Sequence, residues 1–318
     1  MLRTLLFALL ALSAASVFCA DVDFGSAHAI VVDDATGDVL FSKDAQTIAP
    51  IASLTKVLTA MVVLDARQLP DERLRITDAD VDRLKRTRSG VPVGTAVARA
   101  TLLELALVAS DNRAASALAR HYRGGSGAFE AAMRSKIRAL DLGHTSIEEP
   151  TGLSANNVSS AEDMAKVLRA AALYPEITRI TSQPSVHATV QGRPWLVRNT
   201  NPLVGAPGWN VLLSKTGYTR EAGRCLSMRM QAGGRTVTLV LMGAALAAER
   251  ALDALNVLHW LNGATSTARA QPGGDAGVQV PQVAGAPVDT AQPHAADSSD
   301  TAEGSDAAPD APPALDIE

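Results

Sequence analysis

Strand-like patterns occur near the beginning and near the end of this 318-residue chain, and helical patterns fill the region between them. Two apolar runs, Ala29–Val32 and Val39–Phe41, flank a turn-rich segment and predict a β-hairpin. Much later, Cys225–Met230 and Thr236–Leu241 flank Gly233-Gly234 and predict a second hairpin. Because one hairpin alone is marginally stable, the pattern favours a single sheet built from distant segments, with helices inserted between them.

Four segments show helical signatures. Apolar residues recur at helical spacing after Ser53 and again over Thr101–Tyr122. Ser159-Ser160-Ala161-Glu162 has the capping-box pattern that starts a helix. Ala247–Leu261 predicts a closing helix, with Gly263 as its C-cap. Together, the strand and helix patterns predict an α/β (α+β) fold.

The first 20 residues differ from the rest. Arg3 and the apolar run Leu5–Leu12 are followed by small residues, which is typical of a secretory signal peptide and too short to span a membrane. Export to the periplasm is the expected destination. Removal of residues 1–20 leaves Cys225 as the one cysteine, so no intramolecular disulfide is expected.

The composition changes again near residue 264. From Gln271 to Glu318 there are nine acidic residues and no Lys or Arg, among many Ala, Pro, Gly and Ser. Residues 265–318 are therefore predicted to be a disordered acidic, Ala/Pro-rich tail, and residues 21–264 the folded domain. The whole chain carries −4, so residues 1–270 carry +5. A basic body suits work near an anionic polymer, although a solvated surface explains the charge equally well.

Ser53-Leu54-Thr55-Lys56 is the first motif with a chemical interpretation. Positions i and i+3 share one helix face, so the Ser53 hydroxyl and the Lys56 amine can meet. A lysine can remove the proton of a serine nucleophile once burial or a neighbouring cation lowers its pKa. A helix N-terminus also favours the negative charge that develops there. Alone, the motif is better explained by an N-cap serine followed by a surface lysine.

Ser110-Asp111-Asn112 interrupts the second apolar helical region. In a catalytic interpretation, Ser110 is a proton relay and Asn112 hydrogen-bonds the substrate backbone. The alternative is a solvent-facing turn between two helices, and the tripeptide alone does not decide between them.

Lys215-Thr216-Gly217 lies on a predicted strand. In a cleft, Lys215 would supply a fixed positive charge and depress the pKa of Lys56, and Thr216 would donate to a carboxylate. Gly217 would leave room for the substrate backbone. The alternative is an exposed basic edge.

The three motifs occur together, in the order found in penicillin-binding proteins and class A β-lactamases, which makes coincidence a poor explanation. Longer stretches resemble the low-molecular-weight penicillin-binding proteins, the D-alanyl-D-alanine carboxypeptidases and endopeptidases of peptidoglycan: Ile51–Lys56, Glu149–Ser154 and Lys215–Thr219. Others are similar to the D-alanyl-D-alanine endopeptidase branch: Ala79–Lys85, Asn112–Ala115, Arg120–Tyr122 and Glu221–Cys225. The similarity covers roughly residues 25–262.

The resemblance implies a serine β-lactamase/transpeptidase-like fold, with an antiparallel sheet flanked by helices. A helical subdomain would carry Ser110 and Asn112. Within the domain 21–264, the sheet part is expected at about 25–75 and 186–264, and the helical insertion at about 76–185.

The same resemblance implies roles for individual residues. Ser53 would attack the carbonyl of a D-alanyl residue, with Lys56 as base, and the backbone N–H groups of Ser53 and Tyr218 would form the oxyanion hole. Lys215 and Thr216 would hold a carboxylate on the leaving D-amino acid. The implied partners are peptidoglycan peptide stems, and β-lactam antibiotics as covalent inhibitors. No cofactor is expected.

Endopeptidase and carboxypeptidase activities both stay open. Members of the endopeptidase branch carry glutamate where Asp111 stands, so Asp111 leans toward the carboxypeptidases. Against this, membrane-bound carboxypeptidases of the family usually carry a second β-domain and an amphipathic anchor, whereas only the tail follows residue 264 here. The expectation is therefore an endopeptidase without an integral membrane anchor.

Other function classes are less favoured. A β-lactamase needs a glutamate that activates water, but Glu148 and Glu149 lead into Pro150-Thr151-Gly152 and not into the class A pattern. A non-catalytic peptidoglycan-binding protein is disfavoured because all the chemical residues are present. The six histidines show no metal-ligand spacing, so no metal site is expected. Export and the absence of a concentrated basic motif argue against a nucleic-acid partner.

Overall fold

The computed structural model of the protein describes residues 24–269. The strands are β1 (His28–Asp33), β2 (Val39–Lys43), β3 (Ala49–Pro50), β4 (Arg73–Arg75), β5 (Ala96–Ala98), β6 (Val158–Ser159), β7 (Ser185–Val190), β8 (Arg193–Arg198), β9 (Asn210–Thr219), β10 (Gly223–Ala232) and β11 (Arg235–Ala244). The α-helices are α1 (Thr55–Asp65), α2 (Arg99–Val108), α3 (Asn112–Arg120), α4 (Gly125–Ala139), α5 (Ala161–Ala171), α6 (Pro175–Thr181) and α7 (Ala247–Arg269).

A five-stranded antiparallel sheet has the order β2-β1-β11-β10-β9. Both predicted hairpins are present, as β1–β2 and β10–β11, and β1 pairs with β11 so that His28 lies opposite Met242. The predicted sheet of distant segments is therefore confirmed. Strand β9, which carries Lys215, Thr216 and Gly217, is at the edge of the sheet and pairs with β10 on one side.

Alternating side chains on the strands enter two apolar clusters on opposite faces of the sheet. On β11, Leu239 lies in the cluster that contains Val257 of α7, whereas Val240 and Met242 lie in the cluster that contains α1 and α5. Apolar residues are continuous through both faces, which accounts for the long hydrophobic runs in the last strands.

Helix α1 is a core helix and not an amphipathic surface helix. All residues from Thr55 to Val63 are buried, and α2, α3, α4, α5 and α6 all contact it. A helix that is apolar on all sides belongs in a core. Its first turn therefore places Lys56 away from water.

The predicted helical insertion 76–185 contains α2, α3 and α4, but α5, in the same range, packs on β1, β10 and β11. The boundaries between sheet part and insertion stay a prediction. Within residues 24–269, no helix is long and apolar enough to cross a membrane.

Two local predictions need correction, and two others fall outside the described residues. Ser160 caps α5 by accepting from the N–H of Asp163, so the cap is one residue later than the pattern of Ser159 and Glu162 suggested. Helix α7 runs to Arg269, so Gly263 is inside the helix and is not its C-cap. The predicted signal peptide and the predicted tail after Arg269 lie outside the described residues.

Candidate active site

Ser53 lies in a 3-10 turn, Ala52–Leu54, that leads directly into α1. The α-helix begins at Thr55, two residues later than the sequence pattern predicted. Ala52, just before Ser53, has a φ of +47°, a conformation that costs a non-glycine residue about 1 kcal/mol or more. The Thr55 hydroxyl donates to the Ala52 carbonyl at 2.8 Å, so the turn is stabilised from within.

Lys56 is 1% exposed, and its Nζ lies 2.8 Å from the Oγ of Ser53. Two further oxygens contact the same nitrogen, Asn112 Oδ1 at 2.6 Å and the Thr151 carbonyl at 2.6 Å. Burial lowers the pKa of Lys56 from 10.5 to about 7, and the carboxylates of Glu149 and Asp111 oppose that shift. The amine is therefore available as a base near neutral pH.

The Thr151 carbonyl is fixed by the carboxylate of Glu149, which accepts from a series of backbone N–H groups: those of Thr151 (2.6 Å), Gly152 (2.6 Å), Leu153 (2.8 Å) and Ser154 (3.3 Å). Gly152 has a φ of +84°, and a Cβ there would lie 1.9 Å from the Ala52 carbonyl oxygen. Because both oxygens of Glu149 are occupied, this carboxylate is poorly placed to activate water as a β-lactamase requires.

Ser110, Asp111 and Asn112 form the junction of α2 and α3. Ser110 has a φ of +59°, and the Asp111 carboxylate caps α3 by accepting from the N–H of Ala114 at 2.9 Å. The cap fixes Asn112 in the first turn of α3, where its Oδ1 meets Lys56. The junction therefore lies beside Ser53 and Lys56 and is not a solvent-facing turn.

Lys215 is also 1% exposed, and its Nζ donates to the Oγ of Ser110 at 2.9 Å. The alternative of an exposed basic edge is therefore wrong. Burial first, then the charges of Lys56 and Arg250, lower the pKa of Lys215 well below its ordinary value. An anion bound beside Lys215 would oppose that shift and favour its charged form.

Burial is the largest cause of the lowered pKa of Lys56. The charge of Lys56 in turn lowers the pKa of Lys215. Because repulsion between two amines is mutual, the expected effect of Lys215 on Lys56 stays a prediction beside the larger effect of burial.

Gly217 was expected to leave room for substrate, and that stays a prediction. A Cβ on Gly217 would lie 3.1 Å from the Ile51 carbonyl oxygen, 3.1 Å from the backbone nitrogen of Ser53 and 3.2 Å from the Cβ of Ala52. The missing side chain therefore lets β9 approach the turn that carries Ser53.

Thr216 and Tyr218 flank Gly217 on β9 and differ in exposure. The Thr216 hydroxyl donates to Thr200 Oγ1 at 2.7 Å, so it must turn to serve a ligand. Tyr218 is 51% exposed, and the guanidinium of Arg224 lies 3.8 Å from the centroid of its ring.

Sequence reasoning missed Arg250, on α7. Its Nη1 donates to the Cys225 carbonyl at 3.2 Å, and its charge acts on Lys215. No ion pair involves Arg250 among the described residues. The residue spacing of α7 does not indicate that Arg250 lies near Lys215, because only the packing of α7 on the sheet brings the two residues together.

The segment Arg83–Arg88 was also missed. It has four cations in six residues, so the statement that the chain lacks a concentrated basic motif is wrong. The segment adjoins the site, because Thr87 Oγ1 accepts from Asn112 Nδ2 at 2.8 Å. Among the residues 24–269, no group of three His, Cys, Asp or Glu side chains could hold a metal ion.

Comparison with known proteins identifies the family of the chain. Residues 15–246 match the family described as D-alanyl-D-alanine carboxypeptidase. The D-alanyl-D-alanine endopeptidase of Pseudomonas aeruginosa is 40% identical over 248 residues, 77% of this chain and 80% of the relative. The protein of the same name from Escherichia coli is 39% identical over 251 residues, 78% of this chain and 81% of the relative.

Solved structures are similar over most of the described chain. A mutant of a Streptomyces DD-transpeptidase has a TM-score of 0.70 at 25% identity, over 76% of this chain and 99% of that chain. A D-alanyl-D-alanine carboxypeptidase of Mycobacterium tuberculosis has a TM-score of 0.68 at 27% identity, over 76% and 92%. The predicted transpeptidase-like fold is confirmed.

Proposed function

The chain belongs to the D-alanyl-D-alanine carboxypeptidase family and is a serine-type DD-peptidase, and we propose that it is an endopeptidase that cleaves D-alanyl cross-links of peptidoglycan through an acyl-enzyme on Ser53. One observation carries the proposal. The Nζ of Lys56, with a pKa of about 7, lies 2.8 Å from the hydroxyl oxygen of Ser53.

The contacts of Lys56 orient it as a base. A neutral amine has two N–H donors and one lone pair. The oxygens of Asn112 and Thr151, each 2.6 Å away, accept from the two N–H groups. The lone pair is then left for the Ser53 hydroxyl, which donates its proton to Nζ as Oγ attacks the carbonyl carbon.

The next steps use strand β9. The oxyanion of the tetrahedral intermediate accepts from the backbone N–H groups of Ser53 and Tyr218. The packing of Gly217, which precedes Tyr218 on β9, against the Ser53 turn supports this arrangement. As the intermediate collapses, the C–N bond breaks and the departing amine takes the proton that Ser53 gave to Lys56, relayed through Ser110, whose Oγ is 2.9 Å from Lys215 Nζ. Water then hydrolyses the Ser53 ester, which returns the free enzyme and the acid product.

Lys215, Thr216 and Arg250 bind the carboxylate on the leaving D-amino acid. The two cations lack a carboxylate partner among the described residues, and their repulsion lowers the pKa of Lys215. An anion bound beside them raises the pKa of Lys215 again, so the lysine carries the positive charge that attracts the anion. β-Lactams, which carry a comparable carboxylate, acylate Ser53 and block the enzyme.

The name of the two relatives favours cleavage of cross-links over removal of a terminal alanine. The substrate places the enzyme at the cell wall, and the signal-like residues 1–20 favour the periplasm. A carboxypeptidase with the same site would release a single D-alanine from a pentapeptide and would leave cross-linked dimers intact.

The test is digestion of purified cross-linked muropeptide dimers and of monomeric pentapeptides, by wild type and by Ser53→Ala, followed by mass spectrometry. Cleavage of dimers to monomers by wild type alone supports the proposal. Loss of one alanine from pentapeptides with dimers intact would make the protein a carboxypeptidase. Rapid turnover of a chromogenic β-lactam would favour a β-lactamase, and intact substrates with penicillin labelling would leave only penicillin recognition.

A further inference from the structure

The basic loop, residues 82–91, contacts the catalytic junction directly. Asn112 Nδ2 donates to Thr87 Oγ1 at 2.8 Å, and the Ser89 hydroxyl donates to the Asp111 carboxylate at 2.8 Å. Thus both residues that follow Ser110 are hydrogen-bonded to this loop.

The basic loop is held in one conformation. The Asp82 carboxylate accepts from the N–H groups of Leu84 (2.8 Å) and Thr87 (2.8 Å), which closes the loop on itself. At its other end, Gly90 packs so tightly on Trp195 that a Cβ would lie 2.2 Å from the indole ring. Side chains on such a loop are presented from a fixed backbone, which lowers the entropy lost when they bind a ligand.

Four cations lie on the basic loop, and three of them have no partner in the part of the chain that the structure describes. Lys85 pairs with Glu221 at 2.6 Å. Arg83, Arg86 and Arg88 are exposed and make no hydrogen bond or ion pair with any residue between 24 and 269. Three exposed like charges within six residues create a local positive potential that favours an anionic ligand.

The ion pair with Glu221 locates the basic loop along the cleft. Glu221 lies in the turn directly after β9, beyond Gly217 and Tyr218, whereas Lys215 and Thr216 lie on the opposite side of Gly217. Under the proposed function, the leaving group lies at Lys215, so the basic loop faces the acyl part of the substrate.

A pocket of about 190 Å³ occupies this side of the site. Arg83 and Leu84 of the basic loop line it, together with Asn112 and Thr151, the two residues whose oxygens contact Lys56. Its acidic members are already engaged: Asp80 binds Arg120, Asp82 binds loop N–H groups, and Glu149 binds its own loop. Arg83 is the charged group of the pocket that is left for a ligand.

We propose that Arg83, Arg86 and Arg88 bind free carboxylates on the acyl-donor peptide, which makes an acidic peptide the preferred substrate class of this enzyme. The inference rests on the proposed function, since the direction of the substrate along β9 follows from it. Arginine suits this role because its guanidinium binds a carboxylate through two parallel hydrogen bonds.

The test uses two synthetic cross-linked peptide dimers that differ at one donor-stem position, glutamate or glutamine, with the carboxylate on the leaving side unchanged. For wild type, kcat/KM is expected to be about tenfold higher for the glutamate dimer, mainly through KM, and the preference should shrink as salt is raised. The variant Arg83→Gln/Arg86→Gln/Arg88→Gln should prefer glutamate less than twofold. Stoichiometric labelling by a fluorescent penicillin checks that this variant is folded.

The matched control is Arg123→Gln/Arg134→Gln/Arg138→Gln, which removes the same charge from exposed positions at and near α4 and should keep the full preference. Equal rates on both dimers by wild type, or loss of the preference in the control as well, would overturn the inference. Cleavage of either dimer reports on the proposed function separately. If dimers stay intact, pentapeptides with glutamate or glutamine at the same position are compared instead. Equal rates of alanine release from the two pentapeptides would again overturn the inference.

Discussion

Gly217 lies against the backbone of Ser53, so closely that a Cβ on the glycine would be 3.1 Å from the serine nitrogen. The two residues are far apart in sequence, and the contact joins the edge strand of the sheet to the turn before the core helix α1. Under the proposed function, these are the two backbone segments that would face the developing oxyanion. Gly217 would then set the geometry of the site without supplying a functional group.

Replacement of Gly217 by alanine should slow acylation by a fluorescent penicillin by roughly tenfold, because the new methyl forces β9 and the Ser53 turn apart by a few tenths of an ångström and so misplaces the reacting groups. The melting temperature should change little, since β9 keeps its pairing with β10. Gly127→Ala is the control, because nothing lies within 4 Å of a Cβ there and the residue is inside α4. Fast acylation of Gly217→Ala would show that the close approach is unimportant.

The pH dependence of acylation should report Lys56. A base acts only when neutral, so the acylation rate should rise with pH and reach half its plateau near the pKa of about 7. The Asp111 carboxylate raises that pKa, so Asp111→Asn, which keeps an N-cap acceptor, should move the midpoint to lower pH. Stopped-flow labelling with a penicillin whose carboxylate is ionised throughout measures both. A midpoint near 10 in wild type would rule out a desolvated Lys56.

The grouping of these side chains could be predicted from sequence because the motifs are local, whereas their catalytic roles stay predictions. Ser53 and Lys56 lie one turn apart, and Ser110 and Asn112 flank one junction, so residue type and spacing are sufficient to name them. The hairpins were equally accessible, since alternation and Gly233-Gly234 are short-range patterns. The structure adds where these segments meet.

What could not be read from the sequence depends on packing between distant segments. The approach of Gly217 to the Ser53 turn joins residues that are far apart in the chain, so no local pattern near Gly217 indicates it. The charge of Arg250, on α7, acts on Lys215, and only the folded chain brings the two together. The cap of α5 was off by one because Ser159 and Ser160 have the same side chain, and only the backbone decides between them.

The thiol of Cys225 should be inert in the folded protein. It is fully buried, and burial raises its pKa to about 11, so the reactive thiolate is scarce at pH 8. In a protein that begins at residue 21, an aromatic disulfide reagent should label no thiol under native conditions and one thiol in guanidinium. Ser135→Cys, on the exposed face of α4, is the positive control. Rapid native labelling of Cys225 would mean that the β9–β10 end of the sheet opens.

The ion pair of Asp80 and Arg120 should matter more for stability than surface pairs do. Arg120 donates to both Asp80 oxygens at 2.8 Å, and the Asp80 side chain is fully buried. Arg120→Met leaves a buried carboxylate without its partner, which should lower the free energy of unfolding by about 3 kcal/mol in urea denaturation.

Two further variants separate that pair from general effects of substitution. Asp80→Asn/Arg120→Met removes the buried charge as well and should recover part of the loss, because an amide costs less to bury than an unpaired carboxylate. Arg134→Met breaks an exposed pair with Glu130 and should change stability by less than about 0.5 kcal/mol. If Arg120→Met and Arg134→Met were equally mild, water would have to reach Asp80. The ion pair, which joins the segment just before the basic loop to α3, would then not be needed to hold Asn112 beside Lys56.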